Sequence, residues 1–198
     1  MKFMKEFLGR FCARRLFSSK DAQKFLEERG AGKGYWKLLL HNLSKSGKIF
    51  RIGKGQYTFN GANSPIDAAL FPSYHGLQEA LSIHGYWQQQ ANQILITPRK
   101  VRSGERDVLG RKVIVRRIAR KMFFGFESIN YGDEWINVSG PEKTLIDFYY
   151  FSEPLDKETL GKILEKIDRK TLAEYAAAMP KITRQKMEKG LGLKFKTA

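Results

Sequence analysis

The chain is poor in the residues that build disulfide and metal frameworks. It has one cysteine, Cys12, which excludes a disulfide framework and a cysteine-based zinc site. Two of its three histidines, His75 and His84, stand nine residues apart, and no carboxylate or thiol is spaced with them for a metal site. We therefore expect neither a metal ion nor a cofactor, and we expect Cys12 to be a small buried hydrophobe.

Long apolar segments are also missing. No run approaches the roughly 18–20 apolar residues of a membrane span. Near the N-terminus, Glu6 and Arg10 interrupt any apolar stretch of the kind that a signal peptide needs. These absences predict a cytoplasmic protein with no membrane partner.

Positive charge is the strongest compositional signal. The chain has 36 Lys and Arg against 20 Asp and Glu, a formal net charge of +16, and its 42% hydrophobic content argues against disorder. Residues 1–63 hold 14 basic against 4 acidic residues, a net charge of +10, whereas residues 64–198 hold 22 against 16, a net charge of +6. A polyanionic partner is expected, and we expect it to contact the N-terminal third, where the positive charge is densest.

Residues 34–59 predict a helix followed by a β-hairpin. The helix has apolar residues at the i, i+3, i+4 and i+7 spacing of a buried face: Trp36, Leu39, Leu40 and Leu43. Gly47 ends the helix, and two β-branched or aromatic runs flank the hairpin tip Gly53-Lys54-Gly55. Together with two preceding helices and the turn at Gly30-Ala31-Gly32, this pattern is typical of a winged helix-turn-helix.

Eight polar side chains in and around this segment are predicted to contact double-stranded DNA. They are Lys33, Tyr35, Lys37, His41, Asn42, Lys45, Arg51 and Lys54. The helix would enter the major groove and present its polar face to base edges, while the hairpin would contact the adjacent phosphates. Leu38 falls on the outward face, where it can pack on the first helix or touch a thymine methyl group.

The sequence predicts an α+β fold in two domains. Residues 1–61 form the winged helix-turn-helix domain, and residues 62–198 form a mixed α/β domain that ends in a helical segment. In the second domain, Ser64-Pro65 predicts a helix start. The segment 101–112 is charged and turn-prone, and Ser139 and Glu142 have the spacing of a capping box.

A second basic cluster lies between residues 99 and 121, with ten Lys and Arg against two acidic residues. Six of its members are candidates for a surface that contacts phosphates, RNA or a partner protein: Arg99, Lys100, Arg102, Arg116, Arg117 and Arg120. The alternative is an ordinary solvated strand and loop. Strand alternation puts Arg116 on one face and Arg117 on the other, so the charge is not confined to one face.

Carboxylates leave a metal-dependent nuclease open as a remote alternative. The acidic candidates are Asp107, Glu134, Glu142 and Asp147. A restriction-type site pairs an acid on one strand with an acid-x-lysine motif on the next strand. Glu134 is followed two residues later by Ile136, and Glu142 directly precedes Lys143, so neither has that spacing. No catalytic residue is assigned.

Several segments resemble the AbiEi family of antitoxins from abortive-infection toxin–antitoxin systems. Glu79-Ala80-Leu81 with His84-Gly85 is similar to the family's helix end, and residues 138–147, VSGPEKTLID, are similar to its V-x-x-P-E-K-x-L-x-D signature. Ser46-Gly47-Lys48-Ile49 and residues 53–57, GKGQY, match the wing of that family and of many others. The resemblance covers roughly residues 15–150.

The resemblance implies a transcriptional regulator that represses its own operon and is not an enzyme. It also implies a C-terminal domain that antagonises a nucleotidyltransferase-type toxin. One alternative is an antitoxin that acts mainly through that domain, with DNA binding secondary. The expected partner is double-stranded DNA at the protein's own promoter, which a homodimer would be able to bind.

Overall fold

The computed structural model describes residues 2–14, 16–61, 66–89, 91–108, 110–132 and 134–194. The predicted helix start at Ser64-Pro65 lies outside these residues. The chain divides into two compact units: unit 1 comprises Met1–Phe71 and Asp107–Arg111, and unit 2 comprises Pro72–Arg106 and Lys112–Ala198. Helices and two separate sheets make the fold α+β, as predicted.

Unit 1 combines short helices with a small antiparallel sheet. Its elements in chain order are α1 (Lys2–Phe11), β1 (Phe17–Ser18), α2 (Ser19–Glu27), α3 (Tyr35–Lys45), β2 (Phe50–Gly53), β3 (Gln56–Thr58) and α4 (Asp67–Leu70). The sheet order is β1-β3-β2. Strand β1 was not predicted: Phe17 pairs with Tyr57 and Ser18 pairs with Gln56.

The core of unit 1 combines buried aromatic rings with buried aliphatic side chains. Phe7, Phe11 and Phe17 are buried and their rings lie 4.7–5.5 Å apart, while α3 contributes a buried stripe that includes Leu39 and Leu43. Ser18 caps α2 through a reciprocal capping box with Asp21, which fixes the helix start predicted at the serines. The prediction for Cys12 was wrong, because its side chain is exposed.

The remaining elements build a mixed sheet covered by helices. They are β4 (Tyr74–His75), α5 (Leu77–Ile83), β5 (Gln93–Thr97), β6 (Gly104–Val108), β7 (Arg111–Arg117), a 3₁₀ helix (Arg120–Met122), β8 (Phe126–Tyr131), β9 (Glu134–Ser139), α6 (Pro141–Phe151), α7 (Lys157–Leu164), α8 (Arg169–Ala177) and α9 (Lys181–Leu191). The strand order is β6-β7-β5-β4-β9-β8. Helix α6 contacts α5, α8 and α9 and contributes to a buried apolar core with strand β5.

Two local predictions in this region were wrong. Strand β6 lies in the segment expected to be turn-prone, because exposed Glu105 and Asp107 alternate with half-buried Gly104 and Arg106 at the two-residue period of a strand. Ser139 does not cap α6: Gly140 is the N-cap, and the buried Ser139 hydroxyl hydrogen bonds with the Thr144 hydroxyl over 2.7 Å. Glu142 accepts from the backbone N–H of Asp168 over 2.7 Å and so holds the start of α8.

Candidate nucleic-acid interface

Helix α3 presents a polar, cationic face to solvent in unit 1. Lys37, His41 and Lys45 are exposed at i, i+4 and i+8, while Leu39 and Leu43 are buried on the opposite side. This division follows from the 3.6-residue period, which sends residues four apart to the same face. Leu38, which is 57% exposed, and Ser44 lie among these polar residues.

A groove joins this helical face to the β2–β3 hairpin. It encloses about 330 Å³ and is lined by Trp36, Lys37, Leu40, His41, Ser44, Arg51 and Tyr57. The structure therefore brings together Lys37, His41 and Arg51, three of the predicted contact residues. Trp36, which we expected in the core, is half-buried and also lines this groove, with the Lys37 ammonium 5.4 Å from its ring centroid.

The hairpin carries its own cationic groups. Lys54 is exposed at the tip, and the following Gly55 has φ +69°, a conformation that favours glycine. The carbonyl of Gly55 accepts from the Ser19 N–H over 2.8 Å, which anchors the tip to the start of α2. Arg51 donates to the carbonyl of Gly53 over 3.1 Å, beside a register irregularity between β2 and β3.

The other predicted contact residues are less uniform in exposure. Lys33 is exposed in the turn before α3, whereas Asn42 is half-buried. Tyr35 is half-buried and packs edge-on against Phe3 with ring centroids 5.6 Å apart. Tyr35 and Asn42 therefore offer less surface to a ligand than Lys37, His41 and Lys45.

The absence of carboxylates distinguishes this surface electrostatically. No Asp or Glu occurs between Glu28 and Asp67, while the same stretch contains seven Lys and Arg. Within the described residues, Arg29 alone among the seven forms an ion pair, with Glu6 over 3.0 Å. The six unpaired cations are Lys33, Lys37, Lys45, Lys48, Arg51 and Lys54. Lys48 was missed as a candidate, and the carboxylate-free stretch was the signal that would have found it.

The second basic cluster separates into different environments. Arg116 is half-buried and forms an ion pair with Glu153. The Arg102 carbonyl accepts from the Arg106 guanidinium. The remaining candidates, Arg99, Lys100, Arg117 and Arg120, are exposed, and two of them, Arg99 and Arg120, line one concave site.

The acidic candidates have structural partners where their side chains are described. Asp147 is fully buried, Glu142 holds α8, and Asp107 accepts from the Gly110 N–H over 2.8 Å. Glu79, missed in the sequence although it stands four residues after His75, pairs with His75 Nδ1 over 2.9 Å. In the described part of the chain, no group of three or more His, Cys, Asp or Glu side chains is arranged to hold a metal ion.

Two residues of the segment 138–147 belong to a buried polar triad. Lys143 and Asp147 form an ion pair within α6, and the Tyr74 hydroxyl donates to Asp147 over 2.8 Å; all three residues are 0% exposed. Burial raises the pKa of Asp147 to about 6, although the Lys143 ammonium opposes this shift. Burial also lowers the pKa of Lys143 and raises the pKa of Tyr74 well above its usual value.

Comparison with known proteins supports the fold alone. No protein-family model matches the chain, and no curated protein matches its sequence. Among solved structures, the chain is similar to the RV2827C protein from Mycobacterium tuberculosis, with a TM-score of 0.58 and 15% sequence identity over 97% of this chain and 77% of that one. None of the helices in the described ranges combines the length and apolar character that a membrane crossing requires.

Proposed function

We propose that unit 1 is a winged helix-turn-helix domain that binds double-stranded DNA, and that the protein is an AbiEi-like transcriptional regulator of its own operon. The observation that carries the proposal is the carboxylate-free groove in which Lys37 and His41 of α3 lie beside Arg51 of the hairpin. Unpaired cations on a convex helix and on an adjacent hairpin match the anionic backbone that flanks a major groove.

The dimensions of α3 suit this role. A helix with its side chains is about 10–12 Å across, which matches the major-groove width of about 12 Å, and the 11 residues of α3 extend about 16 Å along the groove. The polar side chains of α3 that suit base edges are Lys37, His41, Asn42 and Lys45, and exposed Leu38 suits a thymine methyl group. Lys54 and Arg51 suit phosphates, which are identical at every sequence and so add affinity without specificity.

The test compares affinity for the duplex upstream of the protein's own gene with affinity for a random duplex. We expect Lys54→Ala to weaken both and to reduce the slope of log affinity against log salt by about 0.9. His41→Ala or Asn42→Ala should instead shrink the gap between the two duplexes by about 1–3 kcal/mol.

Lys162→Ala provides a matched control for these variants. It removes one positive charge from α7, where Lys162 is paired with Glu158 over 2.7 Å, and both affinities should change little. The proposal fails if duplex affinity hardly depends on salt. The division of roles is reversed if Lys54→Ala removes selectivity while the α3 variants preserve it.

A second candidate function is antagonism of a nucleotidyltransferase-type toxin by unit 2. The observation that favours it is a pair of large exposed aromatic side chains on the β8–β9 hairpin, Tyr131 at 57% and Trp135 at 61% exposure. Exposed aromatic residues are enriched at protein interfaces. A toxin encoded beside this gene should co-purify with the protein and be released by Trp135→Ala; unchanged co-purification would argue against this surface.

A further inference from the structure

Unit 2 contains a concave site that duplex binding by unit 1 does not use. The site encloses about 320 Å³ and is lined by Pro72, Pro98, Arg99, Arg120 and Phe123. This volume is at the lower end of the range for small-molecule pockets, about 300–1,000 Å³. Two guanidinium groups, one aromatic ring and two prolines therefore border a single small space.

Hydrogen bonds from one buried residue hold the segments of this site together. The Thr97 hydroxyl donates to the Pro72 carbonyl over 2.8 Å and accepts from the Arg99 N–H over 3.2 Å. The Thr97 carbonyl accepts from the Ile118 N–H over 3.0 Å, which ties the chain just before Arg120 to the end of β5. The backbone of the site is thus fixed before any ligand binds, which lowers the entropic cost of binding.

The aromatic wall of the site is anchored from inside unit 2. The Phe123 ring lies 5.5 Å from the Tyr74 ring and 4.8 Å from the Phe126 ring, measured between centroids. The Phe123 N–H also donates to the Arg120 carbonyl over 3.1 Å. The ring and the arginine therefore belong to one short, rigid segment.

The charge of Arg120 is available to a ligand. Arg116 on β7 is neutralised by Glu153. Arg120, in contrast, is exposed and has no ion-pair partner among the described residues. The surrounding segment, residues 99–121, has ten Lys and Arg against Glu105 and Asp107. An incoming anion would therefore replace water at Arg120 without breaking an ion pair there.

We propose that this site binds a nucleoside phosphate, with the phosphate on Arg99 and Arg120 and the base stacked on Phe123. Guanidinium groups bind phosphate oxygens bidentately, and aromatic side chains stack on unpaired bases of any identity. Inorganic phosphate would make no favourable contact with the Phe123 ring. A duplex would not either, because its bases are already stacked on both faces. The ligand is a free nucleotide or an unpaired nucleotide of a single strand, and the proposal is independent of the function proposed for unit 1.

The test is calorimetric titration of the full chain with AMP, with inorganic phosphate and with a short single-stranded oligoadenylate. We expect AMP to bind more tightly than inorganic phosphate. Arg120→Ala should weaken AMP binding about ten- to hundredfold, because a hydrogen-bonded charge contact is lost. Phe123→Leu should weaken AMP binding by about fivefold or more and leave phosphate binding unchanged.

Lys121→Ala is the matched control, since it removes one positive charge from the adjacent exposed position outside the lining of the site. It should change AMP affinity by less than about fivefold. Equal losses in Arg120→Ala and Lys121→Ala would overturn the proposal, as would phosphate binding as tight as AMP binding, or no binding of either adenylate.

The two sources of the ligand are separated by the same titrations. Oligoadenylate that binds more tightly than AMP, with the same dependence on Arg120, supports a single-stranded nucleic acid as the ligand. Equal affinities support a free nucleotide. If Phe123→Leu does not fold, Arg120→Ala still decides the question, because Arg120 is exposed and its side chain contributes nothing to the core.

Discussion

Asp147→Asn is the substitution that we expect to destabilise unit 2 most strongly at neutral pH. The change preserves the shape of a 0% exposed side chain and removes its charge, so the equally buried Lys143 ammonium loses its counter-charge. Removal of one partner from a buried ion pair costs about 3–5 kcal/mol, because the remaining charge is desolvated without compensation. We expect a decrease of this size in the free energy of unfolding of unit 2.

A triple variant separates the cost of an orphaned charge from the net contribution of the triad. Tyr74→Phe, Lys143→Met and Asp147→Leu together remove every polar group of the triad and roughly conserve its volume. Well-packed apolar replacements of a buried pair are often neutral or stabilising, and volume-conserving swaps cost less than about 1.5 kcal/mol. The triple variant should therefore be more stable than Asp147→Asn.

Urea unfolding followed by tryptophan fluorescence measures the free energy of unfolding of both variants, provided that the fluorescence signal comes from unit 2. The chain has three tryptophans, and Trp36→Phe removes the one in unit 1. Trp87 then reports on the core against which it packs. A folded Asp147→Asn protein within about 1 kcal/mol of wild type would refute the reasoning, because the charges would then not be desolvated.

The pH dependence of the same comparison provides an independent check. The folded-state pKa of Asp147 is about 6, above the unfolded value of 3.8, so between these values the folded state retains a proton that the unfolded state has lost. The stability of the wild type relative to the triple variant should therefore fall as pH rises from about 4 to about 6. A relative stability that rises over this range would contradict the cause assigned to the shift, which is burial of the carboxylate.

Two further predictions concern unit 1. Ser18→Ala should cost about 0.5–2 kcal/mol near neutral pH, measured by Trp36 fluorescence, because it breaks the capping box. Hydrogen bonds from Ser18 lower the pKa of Asp21 below 3.8. The stabilisation by the capping box is therefore present above about pH 4 and should shrink as pH falls through the folded-state pKa of Asp21. A cost of Ser18→Ala that stays unchanged in acid would contradict this prediction. For duplex binding, removing Arg51 and Lys54 together should lower the salt slope by about 1.8, and a slope that stays constant would exclude both from phosphate contact.

Elements with a regular apolar period were predictable, whereas the shortest strands were not. Helix α3 follows from the spacing of Leu39, Leu40 and Leu43, all of which are buried. Strands β1 and β4 have two residues each, too few to show a period. Their existence depends on distant partners, such as Tyr57 for Phe17 and Ile96 for Tyr74.

The positive charge of the candidate site could be predicted from the sequence, whereas the packing of its side chains could not. The cationic face of α3 follows from helical spacing, but the half-burial of Trp36 in the groove depends on the hairpin beside it. Ser139 and Glu142 have capping-box spacing, yet their nearest partners come from Thr144 and from Asp168, 26 residues further along the chain. Sequence spacing therefore predicts which hydrogen bonds are possible, but the hydrogen bonds that form depend on the tertiary packing.

The burial of Lys143 and Asp147 limits what the segment 138–147 can do in this protein. A Lys and an Asp four residues apart on a helix usually form an exposed pair, but Lys143 and Asp147 are fully buried beneath Tyr74. No partner can contact them in the folded state, so these residues specify the packing of α6 against its sheet. Recognition by unit 2 would then depend on residues other than Lys143 and Asp147. The surfaces of unit 2 that we propose for recognition are the concave site at Arg120 and the hairpin carrying Trp135.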